Sequence, residues 1–88
     1  MPTLRHQPEI SAFILTDHNK EAGRLDYRLA DNVMNIVHTE VNPAYQGQGL
    51  ARKLVEAALA EADAQGLDIR ADCDYARSVL ARAGRLKS

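Results

Sequence analysis

The 88 residues suffice for one domain, near the lower size at which a single apolar core sustains itself. With 45% hydrophobic residues, much of it alanine, and few aromatics, the core should be modest, so a monomer or weak homodimer is expected. A formal net charge of −1 argues against a nucleic-acid face, the lone cysteine forbids an internal disulfide, and no apolar run suggests a membrane span or signal peptide, which leaves the cytoplasm as the expected compartment.

Met1 to Pro8 is polar, carries two prolines and reads as an extended lead-in. Ile10 to Leu15 is the first predicted strand. Thr16 to Lys20 has turn chemistry. Leu25, Tyr27 and Leu29 then alternate with Arg24, Asp26 and Arg28, the period of a half-solvated strand. Asp31-Asn32 suits a tight hairpin because both side chains tolerate positive φ. Val33 to Val41 is the third strand, with Val33, Val37 and Val41 expected on one face and Met34 and Ile36 on the other.

Gly49 to Gln65 is the main helix. Leu50, Leu54, Ala58 and Ala62 recur every four residues, and Ala51, Val55 and Leu59 widen the stripe. Gly66 fits a left-handed helix stop. Leu67, Ile69 and Ala71 alternate with polar residues as a fourth strand. A second helix starts near Asp74, and Gly84 is its expected stop. The order is β-β-β-α-β-α, an α+β fold spanning residues 1–88 as a single domain. An antiparallel meander leads to a crossover that sets the last strand parallel to the third.

The informative stretch lies between the third strand and the main helix. Pro43 ends the strand, because it has no backbone donor. Gln46-Gly47-Gln48-Gly49 forms a flexible turn, and Leu50 opens the helix. The first amides of a helix lack internal partners, and the helix dipole makes them a phosphate site. A plain strand-to-helix loop is the alternative. The turn is not a Walker A loop, since G-x-x-x-x-G-K-[ST] is absent. It also lacks the third glycine of the dinucleotide fingerprint.

Gln46, Gly49 and Ala51 do satisfy Q/R-x-x-G-x-G/A, which resembles the acetyl-CoA motif of the GNAT acetyltransferase superfamily. His38-Thr39-Glu40-Val41-Asn42-Pro43, then Gly47 to Ala51, then Leu54-Val55, are similar to very short members, the YjdJ-type or NATD-type acetyltransferase-like proteins. The resemblance covers Ile10 to Gly84. It implies a minimal GNAT-like fold in which the third and fourth strands splay apart at the cofactor cleft. It further implies that Gln46, Gly47, Gln48, Gly49, Leu50 and Ala51 hold the pyrophosphate of coenzyme A, with charge from Arg52 or Lys53. Val41 would offer its backbone to the pantetheine arm, as an added strand would.

Cys73 lies between the last strand and the second helix. A helix N-terminus lowers a thiol pKa, while Asp72 and Asp74 push it up. A lone cysteine is also commonly a small buried hydrophobe. The resemblance implies a nucleophile or a cofactor contact at this place, followed after one residue by Tyr, here Tyr75. Set against the superfamily pattern N-x-x-A-x-x-x-Y-x-x-x-G-F, Ala76 and Gly84 match. Leu80 takes the Tyr position and Arg85 the Phe position. Leucine has no proton to donate to the departing thiolate, so Tyr75 is the candidate substitute. Glu40 is either a general base or an exposed strand carboxylate, and His38 shares its face. Tyr27 and Tyr45 are expected to pack or border the site. His6, His18 and His38 show no metal-ligand spacing.

The implied activity is acetyl transfer from acetyl-CoA to a small-molecule or protein amine. A non-catalytic CoA-binding module or sensor is the alternative, on the strength of Leu80 and the small size. The acceptor carries no motif, and short loops such as Thr16 to Ala22 are where its contacts are expected.

Overall fold

Two tight hairpins organise the sheet. His18-Asn19 and Asp31-Asn32 all adopt positive φ, between 50° and 67°. That conformation gives hairpin turns whose twist matches the flanking strands. In the computed structural model, which describes residues 2–84, they connect β2 (Ala12–Asp17), β3 (Lys20–Ala30) and β4 (Val33–Val41). Thr16 to Ala22 is therefore not a loop. Apart from the two turn residues it belongs to β2 and β3.

The lead-in is also more ordered than expected. Thr3–Gln7 forms an edge strand, β1, paired antiparallel with β2. A 3-10 turn at Pro8–Ile10 joins them, so Ile10 lies outside the strand and is 52% exposed. His6 holds the edge down. Its ring stacks on Phe13 at 4.2 Å, its Nε2 is 2.6 Å from the Tyr27 hydroxyl, and its Nδ1 is 3.6 Å from Glu61. Two prolines concealed this strand, yet neither lies within it.

After β4 come α1 (Leu50–Gln65), β5 (Asp68–Ala71) and α2 (Asp74–Arg82). Gly66, at φ 69°, ends α1 as its sequence position requires. The sheet order is β1-β2-β3-β4-β5, antiparallel except for β5, which runs parallel to β4. β4 is the third strand of the sequence reading, so the predicted crossover is present with one extra strand at the far edge.

Both helices cover the same face. Leu54, Val55, Ala58 and Ala62 of α1 and Ala76 and Leu80 of α2 pack on Phe13, Leu15, Leu25, Tyr27, Met34, Ile36 and Ile69. Apart from Ala12 and Ile14 of β2 and the Ala30–Val33 pair at the second hairpin, the other face carries mainly polar and charged side chains.

A bulge sets the direction of the β4 side chains. Asp26 pairs with His38 and Tyr27 with Ile36, so Val37 is an extra residue on β4. An extra residue shifts the alternation by one. Met34 and Ile36 face the helices before the bulge, and after it Thr39 and Val41 do. Val41 is thus not on a common face with Val33, contrary to a uniform two-residue period.

Candidate functional site

The site starts where β4 stops. The Asn42 side chain accepts from the Ala44 amide at 2.9 Å, shaping a 3-10 turn over Pro43–Tyr45. The amides of Tyr45 and Gln46 bond back to Asn42 and Pro43 at 2.8 and 3.4 Å. Gly47 and Gly49 then take φ 84° and 73°, a region that L side chains avoid. The Lys53 amide is the first of α1 to reach a carbonyl, that of Gly49 at 3.2 Å. Among the described residues, no protein group accepts from the amides of Gly47, Gln48, Gly49, Leu50, Ala51 or Arg52. The row is a run of donors at a positive helix end.

Four of these residues, Gly47, Gly49, Leu50 and Ala51, border a cleft of ≈ 490 Å³. Thr39 and Val41 line it from β4, Tyr45, Gln46, Gly47 and Gly49 from the turn, Leu50 and Ala51 from the start of α1, and Tyr75 from α2. Thr39 was not singled out in the sequence. It faces the cleft only because of the bulge, and its covered hydroxyl has no partner among the described residues. Gln46 braces the turn, donating from its side chain to the Val41 carbonyl at 3.3 Å. One of the expected backbone contacts is therefore taken by the protein itself.

The strands part beside this cleft. Pairing of β5 with β4 ends at Ile36–Ala71, with a last bond from the Asp72 amide to the Ile36 carbonyl at 2.8 Å. β4 continues to Val41 with no strand on that side among the described residues. Its open edge from Val37 to Val41 is a ready template for an extended ligand.

Among the other candidates, Tyr75 is brought to the cleft and is 42% exposed. It also borders a smaller cavity of ≈ 150 Å³ between the helices, with Arg52 and Leu80. Leu80 itself is buried in the core. Arg52 is exposed and bonded to Glu56 at 3.2 Å. Cys73 is the N-cap of α2, and its carbonyl accepts from the Arg77 amide at 2.9 Å. Its thiol caps nothing and is half-buried against the core, and Cys73 lines neither cavity. Arg85 lies outside the described residues.

Glu40 alternates with Thr39 and Val41 and so projects from the face without helices. It stands opposite Arg24 and 3.6 Å from His38, giving the polar cluster its spacing suggested. Arg24 also grips Asp26 at 2.8 Å, and that hydrogen bond is the main cause of its raised pKa. Tyr45 borders the cleft and donates to Asp17 at 2.9 Å, which raises its phenol pKa. Tyr27 lies in the core away from the cleft. Its pKa is raised by burial first, then by Glu61 and Glu9. No metal-holding group of His, Cys, Asp and Glu exists among the described residues, and no described helix is long and apolar enough to cross a membrane.

The geometry matches solved acetyltransferase structures. A GCN5-like protein from Staphylococcus aureus, assigned as an N-acetyltransferase, superposes with a TM-score of 0.73 at 30% identity, over 92% of this chain and 79% of that one. The ribosomal-protein-S18-alanine N-acetyltransferase of Escherichia coli gives 0.71 at 24% identity, over 83% and 50%. The PaiA N-acetyltransferase of Thermoplasma acidophilum, solved with coenzyme A, gives 0.60 at 12% identity, over 64% and 35%. This chain spans half or less of those last two proteins. No curated protein matches it significantly. The family model for GCN5-related N-acetyl-transferases matches residues 12–87. A match over that extent, on a fold whose strands open beside an amide-lined turn, means that the chain belongs to the GCN5-related N-acetyltransferase family, acyltransferases that use acetyl-CoA.

Proposed function

We propose that this chain acetylates an amine that approaches the gap between β4 and β5 from the helix-free face. The observation that carries the reading is the run of unengaged amides from Gly47 to Arg52, four of whose residues line the cleft, next to an unpaired stretch of β4. These donors fit a pyrophosphate, and the positive helix end adds to the attraction. Lys53, exposed on the same turn, adds positive charge, while Arg52 is partly spent on Glu56. The β4 edge suits the amides of a pantetheine arm, with the Val41 carbonyl contributing least because Gln46 already uses it. Acetyl-CoA supplies an acetyl group activated as a thioester. The same reading keeps the cytoplasm as the proposed compartment, since the chain would need acetyl-CoA at hand.

The residues of the chain divide the remaining work by face. A free N–H on the β4 edge would polarise the acyl oxygen. Glu40, with His38 beside it, lies on the approach side and would take the proton lost by the attacking nitrogen, directly or through water. Tyr75, on the cleft side, would donate a proton to the departing sulfur and recover one from solvent. The nitrogen–carbon bond forms as the carbon–sulfur bond breaks. The half-buried position of Cys73, off the cleft, favours a structural part over a covalent relay.

Calorimetry with coenzyme A and an amine panel with acetyl-CoA test this reading. Tyr75→Phe should lower turnover by about 10²-fold, within the range of general acid catalysis, and leave coenzyme A affinity unchanged. Mass spectrometry after incubation with acetyl-CoA should find Cys73 unmodified, and Cys73→Ser should retain turnover. Tight coenzyme A binding without transfer to any amine would favour a CoA-binding module instead, in keeping with Leu80 in the core.

A further inference from the structure

The face without helices carries an arginine row that the reaction described above does not use. Arg28 of β3 pairs in register with Asn35 of β4, and Asn35 with Arg70 of β5. Directly paired residues project to the same side, so the three side chains stand in line. Their alternating neighbours Tyr27, Met34, Ile36, Ile69 and Ala71 are buried under the helices, which puts the row on the opposite surface. It lines a shallow depression of ≈ 340 Å³, with Asp31 at the hairpin end.

The two guanidiniums are exposed, and among the described residues neither has an ion-pair or side-chain hydrogen-bond partner. Arg24 and Arg52, by contrast, are both paired. Two strand spacings separate the row's ends by roughly 10 Å, so two unneutralised cations flank one asparagine. Asn35 is fixed by its bond to Asp72 at 2.9 Å, while its covered amide oxygen lacks a partner. Asp31, Asp72 and Asp68, which neighbours Arg70 along β5 and has a partner of its own, temper the positive field without closing on either arginine.

We propose that Arg28 and Arg70 form a carboxylate-binding site that anchors the acetyl acceptor, which is a peptide with an acidic residue next to its reactive amine. This rests on the acetyltransferase reading. The row sits one residue before the point where β4 and β5 part, at the bond from Asp72 to Ile36. From Asn35 in the row, the open edge at Val37–His38 is two or three residues along, roughly 7–10 Å at strand rise. A carboxylate held on the row therefore reaches the gap with an amine at that distance. An acidic side chain at the second or third position of an extended peptide spans it, and the adjoining groups of a free α-amino acid do not. Arginine recognises a carboxylate through two parallel hydrogen bonds, which lysine cannot reproduce.

The test titrates the isotope-labelled chain with the amidated peptides Ala-Asp-Ala and Ala-Asn-Ala. The Asp peptide is expected to bind at least about tenfold more tightly, the scale of a charge-assisted hydrogen bond, and to move the Arg28 and Arg70 side-chain resonances. The double variant Arg28→Gln, Arg70→Gln should shrink that preference below about twofold with coenzyme A affinity unchanged, since exposed substitutions seldom disturb folding. Equal affinity for the two peptides in the wild type, or a preference that survives in the double variant, overturns the site. Selective binding with no acetylation of the Asp peptide upholds the carboxylate site and counts against acetyl transfer, so the two readings fail separately.

Discussion

Gly49 illustrates how one residue serves fold and site together. Its φ of 73° starts α1 and leaves the amides that follow without partners. A Cβ built there meets nothing within 4 Å, so substitution costs conformation rather than space. Gly49→Ala should lose about 1–2 kcal/mol of stability in denaturant unfolding, with Gly49→Asn recovering part of it. Titration offers a second check at this scale. The Tyr27 and Tyr45 phenols have raised pKa values, from burial and from the Asp17 bond respectively. The folded state therefore holds these protons more tightly than the unfolded chain. Their contribution is complete below the ordinary tyrosine value of about 10 and is lost as pH rises through the folded values. Thermal stability should be insensitive to them at neutral pH and fall in alkali, and Tyr27→Phe should flatten that fall. A Tyr27→Phe profile that drops as steeply as the wild type would contradict the assignment.

Among the elements, β4 decides the most. Its bulge at Val37 turns Thr39 and Val41 toward the cleft and leaves Glu40 on the far side. Its last residues press on Gly23 of β3, where an added Cβ would come within 2.9 Å of the Glu40 carbonyl and 3.3 Å of a Val41 methyl. Backbone must yield to such a contact. Gly23→Ala should cost about 1–3 kcal/mol, as overpacking does, and should weaken coenzyme A binding by displacing the strand end. Calorimetry on the folded variant reads the second effect separately. In α1, Leu54 is fully buried between sheet and helix, so Leu54→Ala should cost about 2–5 kcal/mol in the same unfolding assay.

The molecule as a whole has one layer of helices on one sheet face, and its two proposed binding sites lie on opposite sides of the sheet. A ligand that binds only the folded state raises stability with the logarithm of its concentration. Coenzyme A at a hundredfold excess over its dissociation constant should add about 2.7 kcal/mol, which for a domain of this size raises the melting temperature on the order of 10 °C. Absence of a shift at millimolar coenzyme A would remove the amide-lined turn from consideration as its site. The shift should persist in the Arg28→Gln, Arg70→Gln variant, because the row and the turn lie on opposite faces.

Local chemistry made much of this legible from the chain alone. Asp31-Asn32, the four-residue apolar stripe of α1, Gly66, and the Pro43-to-Leu50 break each act over a few residues, where steric rules and periodicity hold regardless of what packs nearby. The parallel crossover followed from the same element order. What the chain could not express depends on residues far apart in sequence. The edge strand β1 exists because His6 finds Phe13, Tyr27 and Glu61. Val37 is a bulge only in relation to β3, and without it Thr39 would not meet the cleft. Arg28, Asn35 and Arg70 form a row only once three strands are in register. Periodicity names the face of a single strand, and pairing alone fixes which faces meet.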